Sequence, residues 1–131
     1  MVSKITNHKI LLVDDDNDFC RAMAIRLHAA GYTVDIAGDG YTATVKARHE
    51  EPDLILLDIG LPAGNGFAVL KRLRQLTSAI SMVPIIVLTA RDPQANRELA
   101  LQSGADAFFQ KPVDNQALLA KIEELLASLA F

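Results

Sequence analysis

Short runs of Ile, Leu and Val alternate along this chain with longer stretches in which apolar residues recur at helical spacing. Residues 10–13, 54–57 and 84–88 are apolar throughout, the mark of strands covered on both faces. The pattern predicts strands at Lys9–Val13, Thr33–Ala37, Leu54–Leu57, 85–88 and 107–109, each followed by a helix. Strands that alternate with helices are parallel and joined by crossovers. The predicted class is therefore α/β: one open, doubly wound parallel sheet of five strands with helices on both faces.

The helix ends carry their own signals. Asp16 or Asn17 can cap the first helix, which directs Phe19, Met23, Leu27 and Ala30 at the sheet, leaves Ile25 on the opposite side and stops at Gly31. A second helix over 41–49 ends before Pro52, and a third over 65–76 turns Phe67, Leu70 and Leu73 inward. The fourth opens on Asp92 and Pro93 but offers only Ala95, Leu99 and Ala100 as an inward stripe, so it should be the least firmly packed. The last follows Asp114 and stacks Leu118, Ile122, Leu125 and Leu129, flanked by Leu119 and Leu126, which predicts firm docking.

A chain of 131 residues, 50% of them hydrophobic, has room for one buried core, and we read 1–131 as a single domain with its core over about 9–129. With 22% charged residues and a net charge of -3 there is no basic stripe, which argues against direct nucleic-acid binding. No apolar run approaches the length needed to cross a bilayer and residues 1–9 are polar, so no membrane association and a cytoplasmic location are expected. The single cysteine, Cys20, can form no internal disulfide and reads as a small residue on a helix. His8, His28 and His49 lack the spacing of a metal pair and are expected to be solvated.

Ligands of doubly wound sheets bind beyond the carboxyl ends of the strands. There stand Asp14, Asp15 and Asp16 after the first strand, Asp58 after the third, Thr89 and Ala90 after the fourth, and Lys111 with Pro112 after the fifth. Crowded carboxylates raise one another's pKa unless a cation neutralises them, so the cluster asks for a hard divalent ion. Mg²⁺ suits a shallow site that also takes phosphate oxygens. An aspartate beside such an ion can attack a phosphoryl group, and Asp58 is placed to do so, with Lys111 as a fixed positive charge and the Thr89 hydroxyl as a hydrogen-bond donor. Helix capping explains Asp16 or Asn17. It does not explain Asp14 and Asp15, nor Asp58, which is followed by Ile59, Gly60, Leu61 and Pro62 with no helix to cap.

The stretches ILLVDDD, DLILLDIGLPAGNG, PIIVLTA and FFQKP resemble, in order and spacing, the receiver domains of two-component response regulators over roughly residues 9–129. The resemblance implies a flavodoxin-like sheet in order 2-1-3-4-5. It also implies a phosphorylation-dependent signalling switch, not an enzyme, that assists its own phosphorylation and dephosphorylation. On that likeness Asp58 is the phosphoacceptor and Asp15 a direct Mg²⁺ ligand, while Asp14 acts mostly through bound water and Gly60 lends a backbone carbonyl. Thr89, the amide of Ala90 and Lys111 would hold the phosphoryl oxygens, with the Lys111–Pro112 peptide cis. Phe108, three residues before the lysine, would turn inward as the threonine moves, although it also reads as a plain core phenylalanine beside Phe109.

The same likeness implies a histidine kinase or phosphotransfer protein as donor, docked on the first helix near Ile25. Output would pass through the fourth helix, last strand and last helix to an output domain or downstream protein, with room for a phosphorylation-dependent dimer. The chain fits a stand-alone regulator and a receiver within a longer protein alike. Three positions depart from the family pattern: Gly60 has no side chain, Arg91 is a long cation two residues past Thr89, and Asn65 stands where an acid is usual. In the family the positions of Gly60 and Arg91 flank the path of the attacking water. Gly60 would leave the phosphoryl group open, and Arg91 would partly cover it or pair with its oxygens.

The strongest rival from the residues alone is a phosphatase of the haloacid-dehalogenase type, with Asp14 as nucleophile and Asp16 completing an Asp-x-Asp. That reading lacks a second acidic pair after the lysine, lacks room for a cap, and leaves Asp58 unexplained. A calcium loop from Asp14, Asp16 and Asp18 fails at Phe19 and Ile25, where glycine and glutamate are needed. A flavin or dinucleotide site would need a glycine-rich phosphate loop after the first strand, where three aspartates stand instead.

Overall fold

The computed structural model describes residues 7–61, 66–76 and 79–128. Strands β1 (Lys9–Val13), β2 (Thr33–Ala37), β3 (Leu54–Leu57), β4 (Ile85–Thr89) and β5 (Ala107–Gln110) pair in parallel in the order β2-β1-β3-β4-β5. They alternate with helices α1 (Asn17–Ala29), α2 (Gly40–Glu50), α3 (Gly66–Arg74), α4 (Pro93–Gln102) and α5 (Asn115–Ala127), with a short 3-10 turn at Ala79–Met82 before β4. The first three strands match the sequence expectation end to end, and the last two reach one residue further, to Thr89 and Gln110.

Alternation along each strand divides the interior into two cores. Leu11, Val13, Ile55, Leu57, Ile85, Val87 and Phe108 face one way, against Ala43 and Ala47 of α2, Val69, Leu70 and Leu73 of α3, and Ala100 of α4. Ile10, Leu12, Leu54, Leu56, Ile86 and Leu88 face the other, against Cys20, Met23 and Leu27 of α1 and Leu118, Ile122 and Leu126 of α5. Each such Leu, Ile or Val contributes roughly 1.5–3 kcal/mol when fully buried. The central strands are therefore the most rigid part from which a site can be hung.

Several inward positions differ from the sequence reading. On α1, Cys20 joins Met23 and Leu27 in the core while Ala30 is exposed. Gly31, at φ 100, reverses the chain there, the Tyr32 N–H donates to the Leu27 carbonyl, and the Tyr32 ring is buried in place of Ala30. On α3 Val69 is buried and Phe67 only half-buried; on α5 Leu126 takes the core position and Leu125 flanks it. Ala95 and Leu99 of α4 are exposed, so Ala100 is the one buried side chain of that helix, against two in α2 and three in each of α1, α3 and α5. The expected weak packing of α4 is present, in stronger form. Ile25 is 65% exposed, His28 and His49 are exposed, and His8 is half-buried. Pro62, Asn65 and Leu129 lie outside the described residues. Among the described residues no helix is long and apolar enough to cross a membrane.

Candidate functional site

The sheet itself places the acids. One residue beyond the end of β1, the Asp14 N–H still donates to the Ala37 carbonyl at 3.0 Å; one residue beyond β3, the Asp58 N–H donates to the Val13 carbonyl at 2.9 Å. At the end of β5 the Lys111 N–H donates to the Thr89 carbonyl at 2.8 Å. Ladder bonds thus run on past the strands and fix three functional backbones before the chain turns away, and the Lys111–Pro112 peptide that follows is cis, as expected.

Their side chains converge. Asp14, Asp15 and Asp58 each offer a carboxylate oxygen within 4.8 Å of the others. Asp14 is 2% exposed and Asp58 9%, whereas Asp15 is open to solvent. The Lys111 Nζ donates to Asp14 Oδ2 at 2.6 Å and to Asp58 Oδ2 at 3.3 Å. The Gly60 N–H donates to Asp58 Oδ1 at 2.8 Å, and the Asp16 N–H to Asp14 Oδ1 at 3.0 Å. One ammonium thus bonds two of three clustered carboxylates, which leaves surplus negative charge in a partly dry pocket. Burial pushes the Asp14 carboxyl above its ordinary value, more than its bond to Lys111 pulls it down. Burial also works against the Lys111 ammonium, but its bonds and attraction to Asp14 and Asp58 outweigh that and raise its pKa. The donor set consists of carboxylate oxygens, with no thiolate or imidazole in it, and this chemistry fits a hard divalent ion such as Mg²⁺.

The other predicted residues differ in burial and in contacts. Thr89 is wholly buried, and its Oγ1 accepts the Arg91 N–H at 3.1 Å. Ala90, next along the chain, is exposed. Phe108 is buried in the same core as Ala100 of α4. A Cβ on Gly60 would stand 3.2 Å from Asp58 Oδ1 and 3.6 Å from Arg91 Nε, so the guanidinium lies beside Gly60 at the rim of Asp58. Asp16 is not in the cluster: its Oδ1 accepts the Phe19 N–H at 3.1 Å and caps α1. That removes the second acid the phosphatase reading needs.

Two contacts escaped the sequence. The Phe19 ring, expected to face the sheet, lies 4.1 Å from Lys111 Nζ, and the Cys20 thiol donates to the Asp14 carbonyl at 3.4 Å. Burial, then the Asp14 charge, lift the Cys20 thiol to about 11, so it stays protonated and serves packing. A signal for both existed in their place on the first turn after the acids, but only coordinates show which way that turn faces.

A doubly wound parallel sheet that carries a carboxylate cluster and a lysine at its carboxyl edge defines a class of phosphoacceptor switches. Residues 10–123 match the family model of the response regulator receiver domain, and the chain belongs to that family. It is a receiver domain of two-component signalling, a switch and not a phosphatase. Among curated relatives, the alkaline phosphatase synthesis transcriptional regulatory protein PhoP of Bacillus subtilis (strain 168) is 40% identical over 120 residues, covering 92% of this chain and 49% of PhoP. The DNA-binding response regulator MtrA of Mycobacterium leprae (strain TN) is 39% identical over 118 residues, covering 90% and 51%. The chain thus spans about half the length of these curated relatives. The CheY-like receiver domain protein of Methanospirillum hungatei JF-1 superposes with a TM-score of 0.86 at 32% identity, over 94% of this chain and 96% of that one.

Proposed function

We propose that Asp58 is the residue that receives the phosphoryl group. A carboxylate oxygen of Asp58 attacks the phosphorus of a phosphohistidine on a histidine kinase or phosphotransfer protein. The new O–P bond forms as the P–N bond breaks, and the released imidazole nitrogen takes its proton from solvent. The observation that carries this is the convergence of Asp14, Asp15 and Asp58 on one point with Lys111 bridging two of them. Asp14, Asp15, Asp58 and the Gly60 carbonyl are the groups that would hold Mg²⁺, which when bound neutralises the carboxylates and the phosphoryl oxygens.

The chain's own groups do the rest. The Gly60 N–H orients the acceptor carboxylate, and Lys111 offers its ammonium to the incoming oxygens. The Thr89 hydroxyl, used now only as an acceptor for the Arg91 amide, keeps its proton free to donate to the phosphoryl group, beside the Ala90 N–H. As Thr89 moves, Phe108 follows, and Ala100 in the same core passes the change to α4, which nothing else buried restrains. We read residues 1–131 as one such module at work in the cytoplasm, with kinase docking on α1 around Ile25. Output runs from α4, β5 and α5 to an output domain, a downstream protein or a second copy. The test is incubation with acetyl phosphate and Mg²⁺ followed by mass spectrometry. One added phosphoryl is expected on the wild type and none on Asp58→Asn; labelling that persists in Asp58→Asn overturns the assignment.

A further inference from the structure

Among the described residues the Lys111 ammonium meets two acids and one ring. Its Nζ reaches Asp14 Oδ2 at 2.6 Å and Asp58 Oδ2 at 3.3 Å, and its third side faces the Phe19 ring, 4.1 Å from the centroid. We propose that Phe19 is a positioning residue for Lys111, its aromatic face holding the ammonium at the pocket while leaving the N–H bonds to oxygen. The inference rests on Asp58 being the phosphoacceptor.

The argument turns on what each kind of neighbour would do at that place. A further carboxylate would compete with the phosphoryl oxygens for the ammonium. An aliphatic chain would let a flexible, strongly hydrated lysine head swing out to water. An aromatic face attracts the cation through its quadrupole, accepts no strong directional hydrogen bond, and so permits the shift from Asp14 and Asp58 toward a phosphoryl oxygen without releasing the lysine. The ring is itself held. The Phe19 backbone N–H donates to Asp16 Oδ1 at the first turn of α1, the ring is half-buried against the core shared by α1 and α5, and the next residue, Cys20, is tied to the Asp14 carbonyl. The segment from β1 into α1 supplies Asp14, Asp15 and the ring together, and the ring meets the ammonium that reaches in from the end of β5.

Phe19→Leu keeps apolar bulk and removes the π face; Phe19→Tyr restores it. The contact is read in the unphosphorylated protein from the Lys111 ε-methylene proton shift, which the ring current moves upfield. Its consequence is read from the rate of labelling by acetyl phosphate with Mg²⁺. We expect Phe19→Leu to lose the upfield shift and label about 3- to 10-fold more slowly, the scale of one cation–π contact, while its melting temperature falls by only a few degrees so that it stays folded at the assay temperature, and Phe19→Tyr to recover both the shift and the rate. Labelling of Phe19→Leu at the wild-type rate overturns the proposal, as does a Tyr variant as slow as the Leu variant. A wild type that shows the shift yet takes no label overturns the reading of Asp58 instead, so the two failures are distinguishable.

Discussion

At the carboxyl end of the strands three carboxylates crowd together and one ammonium bonds two of them; at the amino end one guanidinium meets one carboxylate and a ring of carbonyls. Arg74, at the end of α3, donates through Nε to Gly104 at 2.9 Å, through Nη1 to Ser81 at 3.1 Å and Val83 at 2.5 Å, and through Nη2 to Asp106 Oδ2 at 2.8 Å. Asp106 in turn accepts the Ile85 N–H at 2.8 Å, at the first residue of β4. The same types of charge thus do opposite work. Around Arg74 the donors and acceptors complement each other and tie α3, the 3-10 turn, β4 and the base of α4 together. Around Asp58 the charges do not balance, and that imbalance can be relieved only by something the protein binds.

The largest expected effect breaks the satisfied end. Arg74→Ala leaves the Ser81, Val83 and Gly104 carbonyls and the Asp106 carboxylate without their charged donor, and should cost about 2–4 kcal/mol. The urea midpoint should fall with little change in its slope, while Asp58 still takes phosphoryl label under native conditions. A loss of labelling that runs ahead of the loss of stability would show that the two ends are not separable.

That balanced end was hidden in the sequence, and the reason is physical. Arg74 acts across 30 residues to Gly104 and 32 to Asp106, and nothing in local period or capping marks a surface arginine as a hub. What was legible is what is local or chemically crowded. Residues 10–13 and 54–57 read as strands buried on both faces because short apolar runs alternate with helical stretches, and capping does not explain Asp14, Asp15 and Asp58. The errors fell where a helix face had to be chosen by a residue's width. Ala30 was placed inward because the period reached it, but Gly31 ends the helix and delivers Tyr32 there instead. Cys20 and Phe19 are adjacent on α1, and a rotation of less than one residue decides that the thiol enters the core and the ring meets Lys111.

A smaller effect sharpens the unbalanced end. The Asp14 carboxyl is raised above 3.8 chiefly by burial, so folding favours its neutral form. Its contribution is therefore most favourable below 3.8, where it is protonated folded and unfolded, and stability is lost as pH rises through the folded value. In EDTA at neutral pH, Asp14→Asn should melt a few degrees higher than the wild type, with the gain fading as pH falls toward 3.8. With Mg²⁺ present the order should narrow or reverse, because the wild type gains binding energy that the variant has given up. An Asn variant that melts lower in EDTA would mean that Lys111 already balances the pocket.

The smallest effect concerns the rim. Arg91 is exposed, yet its Nε lies 3.6 Å from where a side chain on Gly60 would begin, beside the Asp58 carboxylate. On the proposed reading Gly60 would put no side chain between a phosphoryl group on Asp58 and water, and the guanidinium beside it would cover that group or pair with its oxygens. Because the pair would be solvated and screened, its worth is that of a surface contact, and the expected change in lifetime is only about twofold to fivefold. Phosphorylated Arg91→Ala should lose its label faster than the wild type by that factor, with the difference shrinking in high salt. An unchanged rate would remove Arg91 from the account and leave the lifetime to Gly60, Thr89 and Lys111, and a salt-insensitive change would mean that the arginine acts by shape and not by charge.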